Sequence, residues 1–574
     1  MTQIKQKSAP ERFFWAQFDA LQMGSGWDEE DVKKPQILLE DVYGDSHPGS
    51  VHLDKLMEQA KYGVFECGGF PAQFHTTDIC DGCGQGHDGM NYILASREAI
   101  CDMIEVHGSV SPWDGMVLSA SCDKSVPAHL KAAARLNIPT IFIPGGSMRP
   151  GPNMTTSLVA GDISLRQKRP GAITAEEVRD YKLTGCPSQG ACAFLGTAST
   201  MQCMAETLGL SLPGTALMPA TMRDILQSAR GAGRRVLDLV KKDIKPSDIM
   251  TREAFENSII IHSAIGGSTN ALLHLPSIAR EFGFDIEPGL FDKINHKVPH
   301  LANVIPSGRY PTEIFWFAGG IPMVQSILKD MLHLDALTVT GKTLGENLKD
   351  LQRDNFFERN QGYLNNYAIS RDDVICPIEK AEGVGSVAIL KGNVAPEGAV
   401  IKYSSCVAEM RVHEGPARVF NSEEAAYQAV IAGNIQPGDI MIIRYEGPRG
   451  SGMPEMYITM EALVCDKHLN GHVALITDGR FSGGTKGAAI GHVSPEAAAG
   501  GPIAFVEEDD IIAYNTFDKT LNVVGIKGTK LSAQEIAAAF ELRAEAGIIP
   551  RPDKKGLLGR YTRYALSAMQ GAGY

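Results

Sequence analysis

The sequence predicts an α/β protein in two parts: an N-terminal parallel-sheet α/β domain over residues 1–376 and a C-terminal β-barrel-like domain with flanking helices over 377–574. Three observations predict it. Short apolar runs alternate with helical patterns through the first two-thirds of the chain, the rhythm of βαβ units and of a sheet covered by helices. A polar stretch of poor periodicity, 350–373, breaks that rhythm. Beyond it the texture changes to short β-rich runs separated by turn residues.

In order along the chain, residues 36–40 read as a strand and 52–66 as a helix, followed by a Gly-Gly-Phe-Pro turn at 68–71. Residues 115–120 (GMVLSA) read as a buried strand. The helix expected over 125–136 carries Pro127 in its first turn, where proline is tolerated. A strand follows at 139–144, and amphipathic helices are expected over 192–208 and 268–282, each just after a glycine-bearing turn. In the second part, 387–390, 400–403, 439–445 (after Pro437-Gly438) and 472–477 read as strands.

At 574 residues the chain is too long for one hydrophobic core. Its 44% apolar and 21% charged residues are those of an ordinary folded protein. A net charge of −13 argues against nucleic acid as a partner. No apolar run reaches the ~18 residues of a bilayer span, and residues 1–12 lack an apolar signal core. The expectation is a cytoplasmic protein with a small-molecule substrate and no membrane partner.

Eleven cysteines in such a setting do not suggest a disulfide framework. Cys67, Cys101, Cys203, Cys376, Cys406 and Cys465 sit among apolar or helical neighbours and read as small buried hydrophobes. Cys80, Cys83, Cys122, Cys186 and Cys192 have Gly, Asp, Ser or Pro around them and belong to loops.

Three loops therefore stand out: 78–87 (DICDGCGQGH), 121–124 (SCDK) and 186–192 (CPSQGAC). Loops at the carboxyl ends of strands in an open α/β sheet are where ligands bind. Two of the three place an aspartate directly after a cysteine, Cys80-Asp81 and Cys122-Asp123. Thiolate suits iron and carboxylate suits magnesium, so each pair sets a soft site beside a hard one. A single such loop is explained as well by an incidental cysteine in a glycine turn; three with a repeated pairing are not. A zinc ribbon needs a second Cys-x-x-Cys pair, and a ferredoxin needs four cysteines in tight runs; neither occurs. The C-terminal part adds 444–455 (RYEGPRGSGMPE) and 477–485 (TDGRFSGGT), the latter one place out of register for a phosphate loop.

From about 36 to 574 the sequence resembles the family of dihydroxy-acid and 6-phosphogluconate dehydratases. The resemblance rests on CDGCGQGHDGM (80–90), SCDK (121–124), GACAFLGTAST (190–200), GGSTNALLHL (266–275), GNVAPEGAVIK (392–402), RYEGPRGSGMPEM (444–456) and TDGRFSGGTKGAAIGHVSPEA (477–497). It implies an iron–sulfur cluster on Cys80, Cys122 and Cys192, and Mg²⁺ on Asp81, Asp123, Lys124 (as a carbamate) and Glu455. It also implies Ser482 as the base and a homodimer or homotetramer. Family members with a 2Fe-2S cluster carry a cysteine where this chain has Gly49, and Cys80 matches the 6-phosphogluconate branch; this favours 4Fe-4S over 2Fe-2S.

The implied reaction turns a 2,3-dihydroxy acid into a 2-keto acid. Magnesium would neutralise the substrate carboxylate, an iron would take the C3 hydroxide, and a base would remove the C2 proton. Glycines at 479, 483 and 484, with a helix expected to begin after them, favour Ser482 as that base; His87 is its rival. Within the family the chain looks closest to the sugar-acid (aldonate) dehydratases, which implies a pentonate or hexonate as substrate; a long insertion between the two parts, carried by some branched-chain members, is short here. The alternative is the dihydroxy acid of valine and isoleucine synthesis. An iron–sulfur redox sensor, from another class, would have no need of the hard-metal residues.

Overall fold

The computed structural model describes residues 8–168, 171–381 and 385–574. The N-terminal sheet has four parallel strands, β1 (Gln36–Asp41), β2 (Phe70–His75), β3 (Gly115–Ala120) and β4 (Thr140–Pro144), in the order β2-β1-β3-β4. Residues of β1, β3 and β4 are buried throughout, as a sheet covered on both faces requires. Helices Leu53–Glu66, Asn91–Val110, Ser125–Leu136 and Arg223–Lys242 supply the cover. β3 and the helix after it match the sequence reading residue for residue. β2 was hidden because its Gly-Gly-Phe-Pro entry reads as a turn, whereas Phe70 and Pro71 already pair with Gln36 and Ile37.

The stretch 350–373 is not a polar linker. Leu344–Arg353 and Phe356–Asn365 are helices, the first capped by Thr343 and Glu346 in a capping box. Phe356, Phe357 and Leu364 are buried, Phe356 lies edge-on to Trp316, and Asn360 Nδ2 donates to the Trp316 carbonyl at 2.7 Å. The first helix ends at Arg353 and the second is ten residues long, so the stretch itself holds too few apolar positions to show a periodicity.

The second sheet has nine strands: β5 (Ala388–Leu390), β6 (Gly398–Ile401), β7 (Val412–Phe420), β8 (Ile440–Ile443), β9 (Ala474–Thr477), β10 (Ala488–Ser494), β11 (Ile511–Asn515), β12 (Thr520–Ile526) and β13 (Thr529–Lys530). Their order is β13-β12-β11-β7-β8-β9-β10-β6-β5. The sheet curls until Lys391, just past β5, bridges Thr520 of β12, with Leu521 N donating to the Lys391 carbonyl at 2.9 Å. That closure makes it barrel-like. Its centre, β7 to β10, is parallel, so this half too has a carboxyl end where loops gather. Among the described residues no helix is long and apolar enough to cross a membrane.

Candidate active site

The three cysteine loops gather at the carboxyl ends of the parallel N-terminal strands, where the sequence reading had placed 121–124. Cys80 follows β2, and Cys122 follows β3 at the entry to helix Ser125–Leu136. The loop carrying Cys192 is pinned beside the end of β4, where Met148 N donates to the Ala191 carbonyl at 2.7 Å and Ala191 N to Gly146 at 2.9 Å. From the other half come the loops after β8 and β9. The buried Asp478 carboxylate ties these together, accepting from the amides of Tyr445, Glu446 and Ala497 at 2.8–3.0 Å. Glu455 and Arg480 then pair across a short parallel bridge.

These loops enclose a cavity of about 510 Å³. Cys80, Cys122, Cys192, Asp81, Asp123, Glu455 and Ser482 all line it, as do Cys83 and Cys186. Burial pushes the thiols of Cys80, Cys122 and Cys192 well above the ordinary cysteine range, that of Cys192 to about 12. Thiols held protonated this way become ligands when a soft cation displaces the proton. Two donor sets have all their ligand atoms within 4.8 Å of one another, Asp81–Asp123–Glu455 and His47–Asp78–Cys122. Among the described residues the three thiols do not form such a set, so they are spaced too widely to share one ion.

Two buried cations stand among the carboxylates. Lys124, with no exposed surface, places Nζ 2.9 Å from Asp81 Oδ2 and 3.4 Å from Asp123 Oδ2. Arg480, equally buried, pairs with Glu455 and reaches Asp81 Oδ2 at 3.5 Å. Burial raises the pKa of both aspartates, but only for Asp81 do Lys124 and Arg480 outweigh it and bring the net shift downward. Asp123 is pushed up to about 7, by burial first and then by the charge of Asp81. Glu455 is held in place by Gln85 Nε2 at 2.9 Å and Asn270 Nδ2 at 3.2 Å, and Asp123 by the Ala198 amide at 2.8 Å.

Arg480, Gln85 and Asn270 were missed as site residues. Each lies inside or beside a motif quoted above, yet nothing in its spacing tells a second partner of a carboxylate from a turn residue. No helix follows Ser482: the chain runs from its turn into β10. Gly487 leaves the turn at φ +90°, and Ala488–Ser494 already pair with β6 and β9, which strand-forming Ile490 and Val493 favour. Ser482 Oγ instead accepts from the Gly484 amide at 3.3 Å. Gly483 lets this turn press on the other half, since a Cβ there would lie 2.7 Å from the Thr197 nitrogen. His87 stands outside the cavity: Nδ1 accepts from the Gly89 amide at 3.0 Å, so Nε2 carries the proton and donates to the Cys83 carbonyl at 2.9 Å.

Two family models between them match most of the chain. Residues 34–347 match the dihydroxy-acid/6-phosphogluconate dehydratase N-terminal family, and residues 373–572 match its C-terminal counterpart. A dihydroxy-acid dehydratase of Halothermothrix orenii is 44% identical over 553 residues, covering 95% of this chain and 96% of that protein. One from Methanosarcina barkeri is 42% identical over 569 residues, 98% of each chain, and one from Acetivibrio thermocellus 41% over 561, 96% of each. These names overturn the sugar-acid expectation, which rested on a likeness within the family and on the short segment between the two parts; a surface connection carries little information about the substrate. The chain belongs to the dihydroxy-acid/6-phosphogluconate dehydratase family and is a dehydratase.

Proposed function

We propose that the chain dehydrates a 2,3-dihydroxy acid, the class its relatives are named for, and that this acid carries a branched alkyl chain, giving the 2-keto acid used in valine and isoleucine synthesis. The observation that carries this reading is the cavity wall. Met148, Leu158, Leu165, Phe194 and Ile458 line the same cavity as the thiols and carboxylates. A branch methyl buried there gains about 0.8 kcal/mol per carbon, whereas a sugar hydroxyl left without a partner costs about 1–3 kcal/mol.

An iron–sulfur cluster fits the donor set: three cavity-lining thiols from three loops, one buried and two half-buried, too far apart for one ion, would hold it through Cys80, Cys122 and Cys192. Magnesium fits the carboxylates, because Asp81, Asp123 and Glu455 converge and Asp81 Oδ1 is buried without accepting a hydrogen bond. Lys124 joins them as a carbamate: its ammonium gives up one proton, the neutral amine adds carbon dioxide and loses a second, and a cation between two aspartates becomes an anion. When bound, the two groups supply Lewis acidity, at the departing C3 hydroxyl and at the substrate carboxylate.

The chain itself provides the rest. Arg480 pairs with Glu455 and, with Lys124, holds Asp81 as an anion, and the apolar walls exclude water from the enol. Ser482, as its alkoxide, accepts the C2 proton, and the Gly484 N–H steadies that charge. The resulting enol tautomerises to the 2-keto acid.

The test is isotope exchange. Ser482→Ala is expected to keep its iron and magnesium, to lose turnover by about 10²-fold or more, and to stop exchanging the C2 proton with deuterated water. Exchange at the wild-type rate in that variant would remove Ser482 from this role.

A further inference from the structure

The Cys122 thiol belongs to a second donor set whose other two members, His47 and Asp78, the dehydration does not use. His47 and Cys122 are 6% and 7% exposed, and the Asp78 side chain 1%. His47 Nδ1 lies 3.7 Å from Cys122 Sγ, and Nε2 lies 3.8 Å from Asp78 Oδ2. One donor atom from each residue falls within 4.8 Å of the other two, a span that suits ligands of a single ion. Asp78 Oδ1 accepts from the Ile79 amide at 2.8 Å, but Oδ2 is sealed from solvent and accepts no hydrogen bond. A buried acceptor in that state is unfavourable unless something fills the position.

The space exists because of Gly49. A Cβ at that position would overlap Cys122 Sγ and would lie 3.2 Å from His47 Nδ1. With glycine there, thiol and imidazole come into direct contact, Sγ against Nδ1.

We propose that His47, Asp78 and Cys122 form a site for one divalent transition-metal ion, of the iron(II) and zinc(II) class, in chains that carry no cluster. One thiolate, one imidazole and one carboxylate make a borderline donor set, which suits those ions and disfavours magnesium or calcium. Three protein ligands leave a fourth tetrahedral position for water. On binding, the Cys122 thiol forms its S–metal bond and gives up its proton to solvent, as does the Asp78 carboxyl when protonated. No oxidation is involved. Cys122 cannot serve this ion and a cluster together, so an ion here blocks cluster assembly; that consequence, unlike the site, rests on the cluster reading above.

The test is a titration of the full-length, cluster-free chain with cobalt(II) chloride, read by absorbance. The expected result is a thiolate-to-cobalt charge-transfer band that saturates at one ion per chain. It should be unchanged in Cys80→Ser and Cys192→Ser, lost in Cys122→Ser, and weakened in affinity about 10–100-fold in His47→Gln and Asp78→Asn. Should Cys122→Ser fail to fold, the two isosteric variants decide. Absence of a thiolate band, wild-type affinity in both His47→Gln and Asp78→Asn, or loss of the band in Cys80→Ser or Cys192→Ser would overturn the proposal. Failure of the cluster reading would leave the result untouched, because Cys80 and Cys192 are not part of this site.

Discussion

Lys124 Nζ stands 2.9 Å from Asp81 Oδ2, inside the protein, within 3.4 Å of a second carboxylate. As an ammonium it closes the place between Asp81 and Asp123 to a divalent cation; as a carbamate it adds an oxygen ligand.

The first prediction follows from that relationship. Carbon dioxide should be required for tight magnesium binding, and Lys124→Ala should lose turnover by about 10²-fold or more. Enzyme loaded with ¹³C-bicarbonate and magnesium is expected to show one slowly exchanging carbamate resonance that Lys124→Ala lacks. Magnesium affinity that ignores carbon dioxide would count against the modification.

The five cavity cysteines should divide in two. Ser in place of Cys80, Cys122 or Cys192 is expected to lose most bound iron, whereas Cys83→Ser and Cys186→Ser should retain it. Cys83 and Cys186 are exposed, so replacing them leaves no void. Iron assay and visible spectra of anaerobically purified variants check this. Full iron in Cys80→Ser would exclude it as a ligand.

Arg480 should matter for stability as well as for the site. It is fully buried against Glu455 and Asp81, and removing one partner of a buried ion pair typically costs about 3–5 kcal/mol. Arg480→Ala should therefore unfold at distinctly lower urea than wild type, with Arg480→Lys between them. Equal midpoints for Arg480→Ala and wild type would show that Glu455 and Asp81 find other compensation.

Much of this was legible in the sequence because local chemistry and tertiary role coincided. GMVLSA followed by SCDK gives strand, loop and helix within about twenty residues, and Cys122, Asp123 and Lys124 meet the site from that one turn. The closure of the second sheet was not legible, since Lys391 and Thr520 meet although they stand 129 positions apart in sequence. Nor was the ring of Arg480, Gln85 and Asn270, whose partners come from distant loops. The apolar wall escaped notice for the same reason: Leu158, Phe194 and Ile458 sit in unrelated segments and converge only in the folded chain.

The substrate tests the whole account most directly. Anaerobically purified protein, loaded with iron, sulfide and magnesium, should convert 2,3-dihydroxy-3-methylbutanoate to its 2-keto acid. Its kcat/KM is expected to exceed that for any pentonate or hexonate by about 10²-fold or more, because an apolar wall discriminates by about 1–3 kcal/mol per misplaced group. Faster turnover of an aldonate, or no keto acid from the branched substrate, would contradict it.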